Sequence, residues 1–314
     1  MFPKKNNMKN LLYLPLLSIL IIIGCSSHEN KMSSSSVHVI CTTGVIADAM
    51  KNILPPTPFE IEALMGPGVD PHTYKSKASE MKAMLNAESV ACNGIHFESN
   101  LLDAIDEIGK SRHVVKLGEI VPEERLRATT EFGTAHDPHF WHDVNLFATS
   151  VELVGKEFSK KFPIHQNYID SATKSYTKKL LATELYVKRE MNKIPDSIRV
   201  LITAHDAFGY YGRAFGIEVK GVQGISTASD ISVRGITELT DLIVSRKIPA
   251  IFIENSVSRK NINAIIEGCR SKGLDLKIGG TLYSDGLGDA QSGAETYIKM
   301  IKKNTQTIVS ALSK

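Results

Sequence analysis

From residue 37 to the end of the chain, short apolar runs alternate with stretches of helical periodicity. The strand-like runs are His38–Thr42, Phe59–Met65, Ser89–Asn93, His113–Leu117, Arg199–Thr203, Glu218–Val222, Ala250–Glu254 and Asp275–Ile278. The helical patterns between them include Val45–Leu54, Lys77–Leu85, Leu101–Ile108, Val233–Ser245 and Lys260–Lys272. Such alternation favours parallel sheets with right-handed crossovers and helices on both faces. The sequence therefore predicts an α/β fold with two groups of four strands.

A long helical pattern separates the two groups of strands. Apolar residues recur at helical spacing through Pro163–Lys193. Pro163 suits a first helical turn, and Pro195 marks the far boundary. At about 1.5 Å per residue, the segment is about 45 Å long, enough to cross two lobes. The predicted divisions are a first lobe at 37–162, a rigid linking helix at 163–195 and a second lobe at 196–314.

The start of the chain has the pattern of a secretory signal. Three lysines precede the apolar run Leu11–Ile23, which is shorter than the roughly 20 residues of a membrane-spanning helix. The run ends at Gly24-Cys25, which resembles the bacterial lipobox, in which the cysteine becomes the acylated N-terminus. We therefore predict a signal peptide at 1–24, a lipid-anchored, serine-rich tether at 25–36 and an extracytoplasmic location. A soluble signal peptide that happens to contain a cysteine is the alternative.

Charge and cysteine content restrict the partners and the redox chemistry. The formal net charge is +3, but Lys4, Lys5 and Lys9 all precede Cys25, so the rest of the chain is neutral. A neutral body gives no electrostatic reason to expect nucleic acid as a partner. For Cys41 and Cys92, which lie in apolar strand-like runs, we expect buried thiols, and their spacing matches no C-x-x-C metal site. Three cysteines follow Cys25, and a disulfide between two of them stays open. These cysteines are Cys41, Cys92 and Cys269.

Three histidines and one aspartate stand where metal ligands would meet. His72 follows the second predicted strand, His205 the fifth and Asp285 the last. His72 ends an Asp-Pro-His motif, and His139 ends a second one. Ligand crevices of open α/β sheets form at the carboxyl ends of strands. Imidazole nitrogen and carboxylate oxygen bind divalent first-row metals, and four such ligands at about 2.0–2.2 Å close a zinc shell. The pattern predicts a divalent metal site.

Each of these residues also has an ordinary structural interpretation. A lone histidine at a strand end is commonly a buried hydrogen-bonding residue, and an aspartate before glycines, such as Asp285, is commonly a turn residue. We expect a structural role for His142, one turn beyond His139. If the metal site exists, its histidines need acceptors that fix their tautomers. The nearby candidates are Asp70, Asp137, Asp206 and Glu254.

Several blocks in order resemble the TroA-like zinc- and manganese-binding lipoproteins of bacterial ABC importers, the cluster A-I (cluster 9) solute-binding proteins. The resemblance extends from Val39 to Lys314. Its most specific blocks are Met65–His72, Asp137–Trp141, Leu201–Tyr210, Val219–Thr227 and Gly279–Asp285. The resemblance implies two four-stranded lobes bridged by a rigid helix, with one metal ion between them. The implied ligands are His72 and His139 from the first lobe and His205 and Asp285 from the second.

The same resemblance implies a monomeric, non-enzymatic protein that delivers its metal to an ABC permease in the cytoplasmic membrane. Relatives tuned to manganese often carry glutamate where His205 stands. Dedicated zinc scavengers often carry a long His-rich loop, whereas Glu119–His136 contains only His136. The choice between Zn²⁺ and Mn²⁺ stays open, with nitrogen-rich ligation favouring zinc. Because imidazoles must be neutral to bind metal, we expect release as the pH falls through the histidine range.

Two other functions fit a metal site. An extracellular zinc hydrolase needs an open coordination position and a general base. The chain contains no H-E-x-x-H, and four protein ligands would fill the shell. The other alternative is an adhesin in which the metal is structural, and such a protein would unfold when its metal is removed.

Overall fold

The computed structural model describes residues 36–129, 136–228 and 233–313. The predicted signal peptide, Cys25 and all of the tether but its last residue lie outside these ranges. Within them, no helix combines the length and the apolar character that crossing a bilayer requires. For clarity, residues 36–162 are called the N-terminal half and residues 196–313 the C-terminal half.

The N-terminal half contains a four-stranded parallel sheet in the order β2-β1-β3-β4. Its strands are β1 (Val37–Thr43), β2 (Phe59–Met65), β3 (Ser89–Cys92) and β4 (His113–Lys116). Its crossover helices are α1 (Gly44–Ile53), α2 (Ala78–Asn86) and α3 (Leu102–Gly109). The chain runs from β1 outward to β2 and then crosses back past β1 to β3 and β4, so the carboxyl ends of β1 and β3 form the switch point where such sheets bind ligands.

Two long helices follow the first sheet, and the second of them, α5, connects the halves. Helix α4 spans Val144–Lys161, and α5 spans Gln166–Met191, which is 26 residues or about 39 Å. The α5 helix is therefore shorter than the predicted 163–195. Residues Pro163–His165 form a separate 3₁₀ turn, and the helix ends at Met191, a few residues before Pro195, which cannot continue a helix.

The C-terminal half contains the four other predicted strands, all parallel to their partners. They are β5 (Val200–His205), β6 (Glu218–Gln223), β7 (Ala250–Glu254) and β8 (Lys277–Leu282). Its helices are α6 (Gly209–Phe215), α7 (Val233–Arg246), α8 (Lys260–Ser271) and α9 (Tyr297–Leu312). The predicted α/β fold is confirmed.

The hydrogen bonding of this second set of strands differs from the first. Strand β5 pairs with β6 and β7 pairs with β8, and β5 lies beside β7 without forming one continuous four-stranded ladder. At the carboxyl end of β5, the amide of His205 donates to Glu254 Oε1 at 2.9 Å. The acceptor for this amide is therefore a side chain of β7 and not a backbone carbonyl of a paired strand.

One hydrophobic core extends through both halves. It includes residues of α1, α4 and α5 together with residues of β5, α6 and α9. Tyr297 of α9 stacks on Phe147 of α4, with ring centroids 4.1 Å apart, and donates to the carbonyl of Trp141 at 2.6 Å. The described residues from 36 onward accordingly group as one compact unit, and the division into two lobes remains a prediction.

All three described cysteines are free and buried, which confirms the buried thiols expected of Cys41 and Cys92 and shows no disulfide among the described residues. Burial raises the pKa of Cys41, Cys92 and Cys269 above that of an exposed thiol, so these side chains behave as small apolar core residues.

Candidate metal centre

Four buried side chains that can bind a metal ion converge between the two halves. Each offers one donor atom, and these atoms all lie within 4.8 Å of one another. They belong to His72, His139, His205 and Asp285. The structure thus brings together all four residues that the sequence predicted as ligands.

Three of the separations between donors suit a four-coordinate ion. The Nε2 atoms of His72 and His139 are 3.3 Å apart, and Asp285 Oδ1 lies 3.4 Å from His139 Nε2 and 3.3 Å from His205 Nε2. Tetrahedral ligands at about 2.0–2.1 Å from a zinc ion are themselves about 3.3 Å apart. Within the described residues, Asp285 Oδ1 and His205 Nε2 have no hydrogen-bond partner, although both are buried. A cation would satisfy both atoms.

The two Asp-Pro-His motifs fold into the same local turn. Asp70 Oδ1 accepts the amide of His72 at 2.9 Å, and Asp137 Oδ1 accepts the amide of His139 at 3.0 Å. Aspartate favours this bond to the backbone two residues ahead, and the intervening proline restricts the chain. The motif therefore places each histidine before it meets the other half.

Carboxylates orient two of the three imidazole rings. Asp137 Oδ1 lies 2.8 Å from Nδ1 of His139, and Glu254 Oε2 lies 2.6 Å from Nδ1 of His205. Each carboxylate also accepts the amide of its histidine, so ring and backbone are held by one group. The Nε2 atom of each ring is thereby directed toward the common centre.

His72 and Asp206 do not follow this arrangement. Asp70 reaches the amide of His72, but His72 Nδ1 is without a hydrogen-bond partner in the described part of the chain. The carboxylate of Asp206 makes no hydrogen bond to any of the four ligand residues within the described ranges. Of the four predicted supporting acids, two contact an imidazole ring, one acts through the backbone and one does neither.

The charges of the site are mutually stabilising. Burial would raise the pKa of Asp285, but His205 and His139 hold it well below its ordinary value. Burial would likewise lower the pKa of His205, yet Asp285 and Glu254 raise it well above the usual range. The pKa of His139 is raised in the same way, against the effect of burial, by Asp137 and Asp285.

His72 has the opposite electrostatic character. Burial, with further repulsion from His139 and His205, lowers the pKa of His72 to about 3 despite the attraction of Asp285. The His72 ring is therefore neutral at physiological pH and ready to bind a cation. The pKa values of the other two rings are raised, so these rings hold a proton to a higher pH than His72 does.

Several residues at the site were not predicted from the sequence as part of it. Trp141 Nε1 and His142 Nε2 both donate to the carbonyl of Ser284 at 3.0 Å, and so hold the residue before Asp285. His142 thus has the structural role expected of it. Trp141 belongs to the block Asp137–Trp141 that carries the family resemblance. Ser256 Oγ donates to Asp285 Oδ2 at 2.9 Å, and Arg127 is hydrogen-bonded to the Asp137 carboxylate. No local sequence signal marks Ser256 or Arg127.

Two parallel α/β halves that meet at a buried three-histidine, one-aspartate centre define a metal-binding protein. Residues 39–311 match the family model of ZnuA, the periplasmic component A of a zinc-uptake complex. The chain belongs to this family, and the predicted family is confirmed.

Known relatives cover nearly the whole chain. The manganese-binding lipoprotein MntA of Bacillus subtilis is 38% identical over 298 residues, covering 95% of this chain and 97% of MntA. The zinc-binding protein TroA of Treponema pallidum is 40% identical over 276 residues, covering 88% of this chain and 89% of TroA. A solved structure of the T. pallidum periplasmic zinc-binding protein TroA superimposes with a TM-score of 0.85, over 89% of this chain and all of that one.

Proposed function

We propose that this protein is the extracytoplasmic substrate-binding component of a metal ABC importer. It captures Zn²⁺ or Mn²⁺ with His72, His139, His205 and Asp285 and delivers the ion to a membrane permease. The observation that carries the proposal is the convergence of four buried donor atoms within 4.8 Å, contributed equally by the two halves. The named relatives bind manganese in one case and zinc in the other, which supports both cations as substrates.

Metal analysis of the purified protein tests this proposal directly. The full chain is prepared without chelator and analysed by mass spectrometry, then stripped and titrated with Zn²⁺ and Mn²⁺ in competition with a chromogenic chelator. We expect one tightly bound ion per chain. A protein that binds neither cation would contradict the proposal.

A structural metal is distinguished by what happens when the metal is removed. The core shared by α1, α4, α5, β5, α6 and α9 consists of apolar side chains and includes none of the four ligands. We therefore expect the circular dichroism spectrum to be retained after chelation, as a carrier requires. Loss of the spectrum would favour the adhesin or scaffold alternative.

A hydrolase requires a coordination position that is open to water. All four donors are protein atoms, and the side chains of His139, His205 and Asp285 have no solvent exposure. This enclosure favours binding over hydrolysis. Ester or peptide hydrolysis that disappears with the metal would favour the enzyme instead.

The membrane anchor and the partner permease complete the proposal. Several relatives are named as lipoproteins or as substrate-binding lipoproteins of metal ABC transporters, which supports acylation of Cys25 after removal of residues 1–24. Metabolic labelling with a fatty acid, compared between the wild type and Cys25→Ala, tests the anchor. We expect the label to disappear in the variant and the purified, unacylated body to be a monomer.

A further inference from the structure

Arg127 reaches the centre through the carboxylate that holds His139. Asp137 Oδ1 accepts from the amide of His139 at 3.0 Å and lies 2.8 Å from its Nδ1. Oδ2 of the same carboxylate is hydrogen-bonded to Nη1 of Arg127, its one side-chain partner within the described residues. The Asp137 side chain is only 1% exposed, so Oδ2 depends on this donor. Arg127 therefore holds the carboxylate oxygen that His139 does not use.

A tyrosine of the C-terminal half ties the backbone of Arg127 to that of Asp137. The hydroxyl of Tyr210 accepts from the amide of Arg127 at 2.9 Å and donates to the carbonyl of Asp137 at 2.8 Å. The amide of Asp137 in turn donates to the carbonyl of Arg127 at 2.8 Å. One buried side chain of α6 thus fixes the spacing between the arginine and the aspartate.

The guanidinium of Arg127 fits against the start of α6 because residue 209 has no side chain. A Cβ added at Gly209 would overlap the guanidinium of Arg127. The Cζ atom of Arg127 also lies 5.6 Å from the centroid of the Tyr210 ring, which is within the range of a cation–π contact. Because Arg127 belongs to the N-terminal half, these contacts join the support of His139 to the other half of the molecule.

We propose that Arg127 is a positioning residue, held by Gly209 and Tyr210 of the C-terminal half, that keeps Asp137 turned toward His139. This inference rests on the proposed function, since its consequence is metal affinity. Without the guanidinium, Asp137 Oδ2 would be buried without a donor, and the carboxylate would turn away from the imidazole to find one. A residue that does not touch the ligand would thereby change the orientation of the ligand ring.

Proton NMR of the metal-free full chain measures this orientation in the absence of any ion. An imidazole N–H that donates to a buried carboxylate exchanges slowly and resonates downfield of the backbone amides. His139 and His205 each have such a contact, at 2.8 and 2.6 Å. We expect Arg127→Ala to shift or broaden the His139 signal and to leave the His205 signal unchanged, because its acceptor is Glu254. The His205 signal is thus an internal control for the fold.

Chelator competition measures the consequence for binding. We expect Arg127→Ala to weaken Zn²⁺ binding about 10-fold, at the lower limit of effects seen for residues that orient a ligand. Arg127→Lys should recover part of the loss, because an ammonium keeps the charge but lacks the planar fork of a guanidinium.

Arg213→Ala is the matched control. The guanidinium of Arg213 also lies over the Tyr210 ring, with Cζ 4.9 Å from the centroid, but it pairs with Asp143 at 3.5 Å. We expect Zn²⁺ affinity within about 2-fold of the wild type, since Asp143 is not in contact with a ligand ring.

A double-mutant cycle tests whether Arg127 acts through Asp137. If it does, Arg127→Ala should change Zn²⁺ affinity by less than about 2-fold once Asp137→Ala has removed the carboxylate. An equal effect of Arg127→Ala with and without the carboxylate would overturn the inference. If Arg127→Ala does not fold, Gly209→Ala displaces the same guanidinium and carries the same expectations.

Distinct results overturn the inference and the proposed function. An unchanged His139 signal and unchanged Zn²⁺ affinity in Arg127→Ala would overturn the role of Arg127. An equal loss of affinity in Arg213→Ala would overturn it as well, because packing on Tyr210 would then be the cause. If the wild type binds neither Zn²⁺ nor Mn²⁺, the proposed function fails, while the NMR signal still tests the orientation of His139.

Discussion

The two halves of the molecule hold their ligands with unequal firmness. In the C-terminal half, His205 is the last residue of β5 and is held by Glu254 of the adjacent β7, while Asp285 is held by Ser256. In the N-terminal half, His139 has an equivalent support in Asp137, but the ring of His72 has none within the described residues. The comparison indicates that the stiffness of a ligand depends on what its other polar atoms contact.

His72 is therefore the ligand that we expect to move at the lowest cost. It retains 3% exposure, whereas His139 and His205 are fully buried. Asp70, which fixes its amide, also accepts from Thr227 Oγ1 of the C-terminal half at 2.6 Å. This hydrogen bond joins the loop that carries His72 to the C-terminal half, and breaking it would leave the β-strands of both halves in place.

Removing a firmly held ligand should have the largest effect. We expect His205→Ala to weaken Zn²⁺ binding by more than about 100-fold, beyond the 10–100-fold cost of losing only a supporting residue. Metal content and chelator competition measure the loss. His113→Ala, which changes a histidine at the start of β4, is the matched control. Near-normal stoichiometry in His205→Ala would remove His205 from the site.

Acidification should weaken binding through one histidine of each half. Because the pKa values of His139 and His205 are raised, both rings keep their protons to a higher pH than an ordinary histidine does in the metal-free protein. The cation must displace these protons, so affinity falls as the pH falls, by up to about 100-fold per pH unit when both are released. His72, with its pKa lowered to about 3, contributes nothing in this range. Calorimetry in buffers of different ionisation enthalpy counts the protons, and equal affinity at pH 5 and pH 8 would contradict the expectation.

Variants of the supporting carboxylates test whether the same kind of interaction strengthens metal binding in both halves. Glu254→Gln and Asp137→Asn each remove a charge that holds both the ring and the amide of a ligand. We expect each to cost about 10–100-fold in Zn²⁺ affinity. If only one variant loses Zn²⁺ affinity, the similar contacts of His139 and His205 with their carboxylates do not contribute equally to metal binding.

The hydrogen bond between Thr227 and Asp70 tests whether the looser support of His72 affects metal release. Thr227→Val removes the donor from the C-terminal half, whereas Thr73→Val removes a donor to the same Asp70 oxygen from within the N-terminal half. We expect Thr227→Val to accelerate metal release several-fold, less than about 10-fold for the loss of one hydrogen bond of about 1 kcal/mol, and Thr73→Val to change it little. Stopped-flow mixing with a chelator measures the rates. Equal rates in the two variants would show that the contact across the halves does not limit release.

Asp206→Asn should have the smallest effect. No hydrogen bond joins its carboxylate to any of the four ligands within the described residues, unlike those of Asp137 and Glu254. We expect Zn²⁺ affinity within about 2-fold of the wild type, since the cost of losing a supporting residue arises from its contact with a ligand. A 10-fold loss would restore Asp206 to the supporting role predicted from its position beside His205.

Much of the fold could be predicted because strands and helices follow local patterns. The bounds of β2 and β7 agree with the predicted runs, and the same holds within one or two residues for most other elements. The prediction was less accurate where backbone chemistry overrides periodicity. The segment Pro163–His165 continues the apolar spacing of α5 but forms a 3₁₀ turn. Helices α4, α6 and α9 were not among the patterns singled out.

The sequence by itself determined which residues can bind a metal, because the donor chemistry of His72, His139, His205 and Asp285 and the two Asp-Pro-His turns are local properties. Only the tertiary structure decided which neighbours hold them. Trp141 and Ser284, which meet at 3.0 Å, are 143 residues apart, and Ser256 reaches Asp285 from another strand end. Such pairs depend on how strand ends are packed side by side, and periodicity along one segment contains no information about that packing.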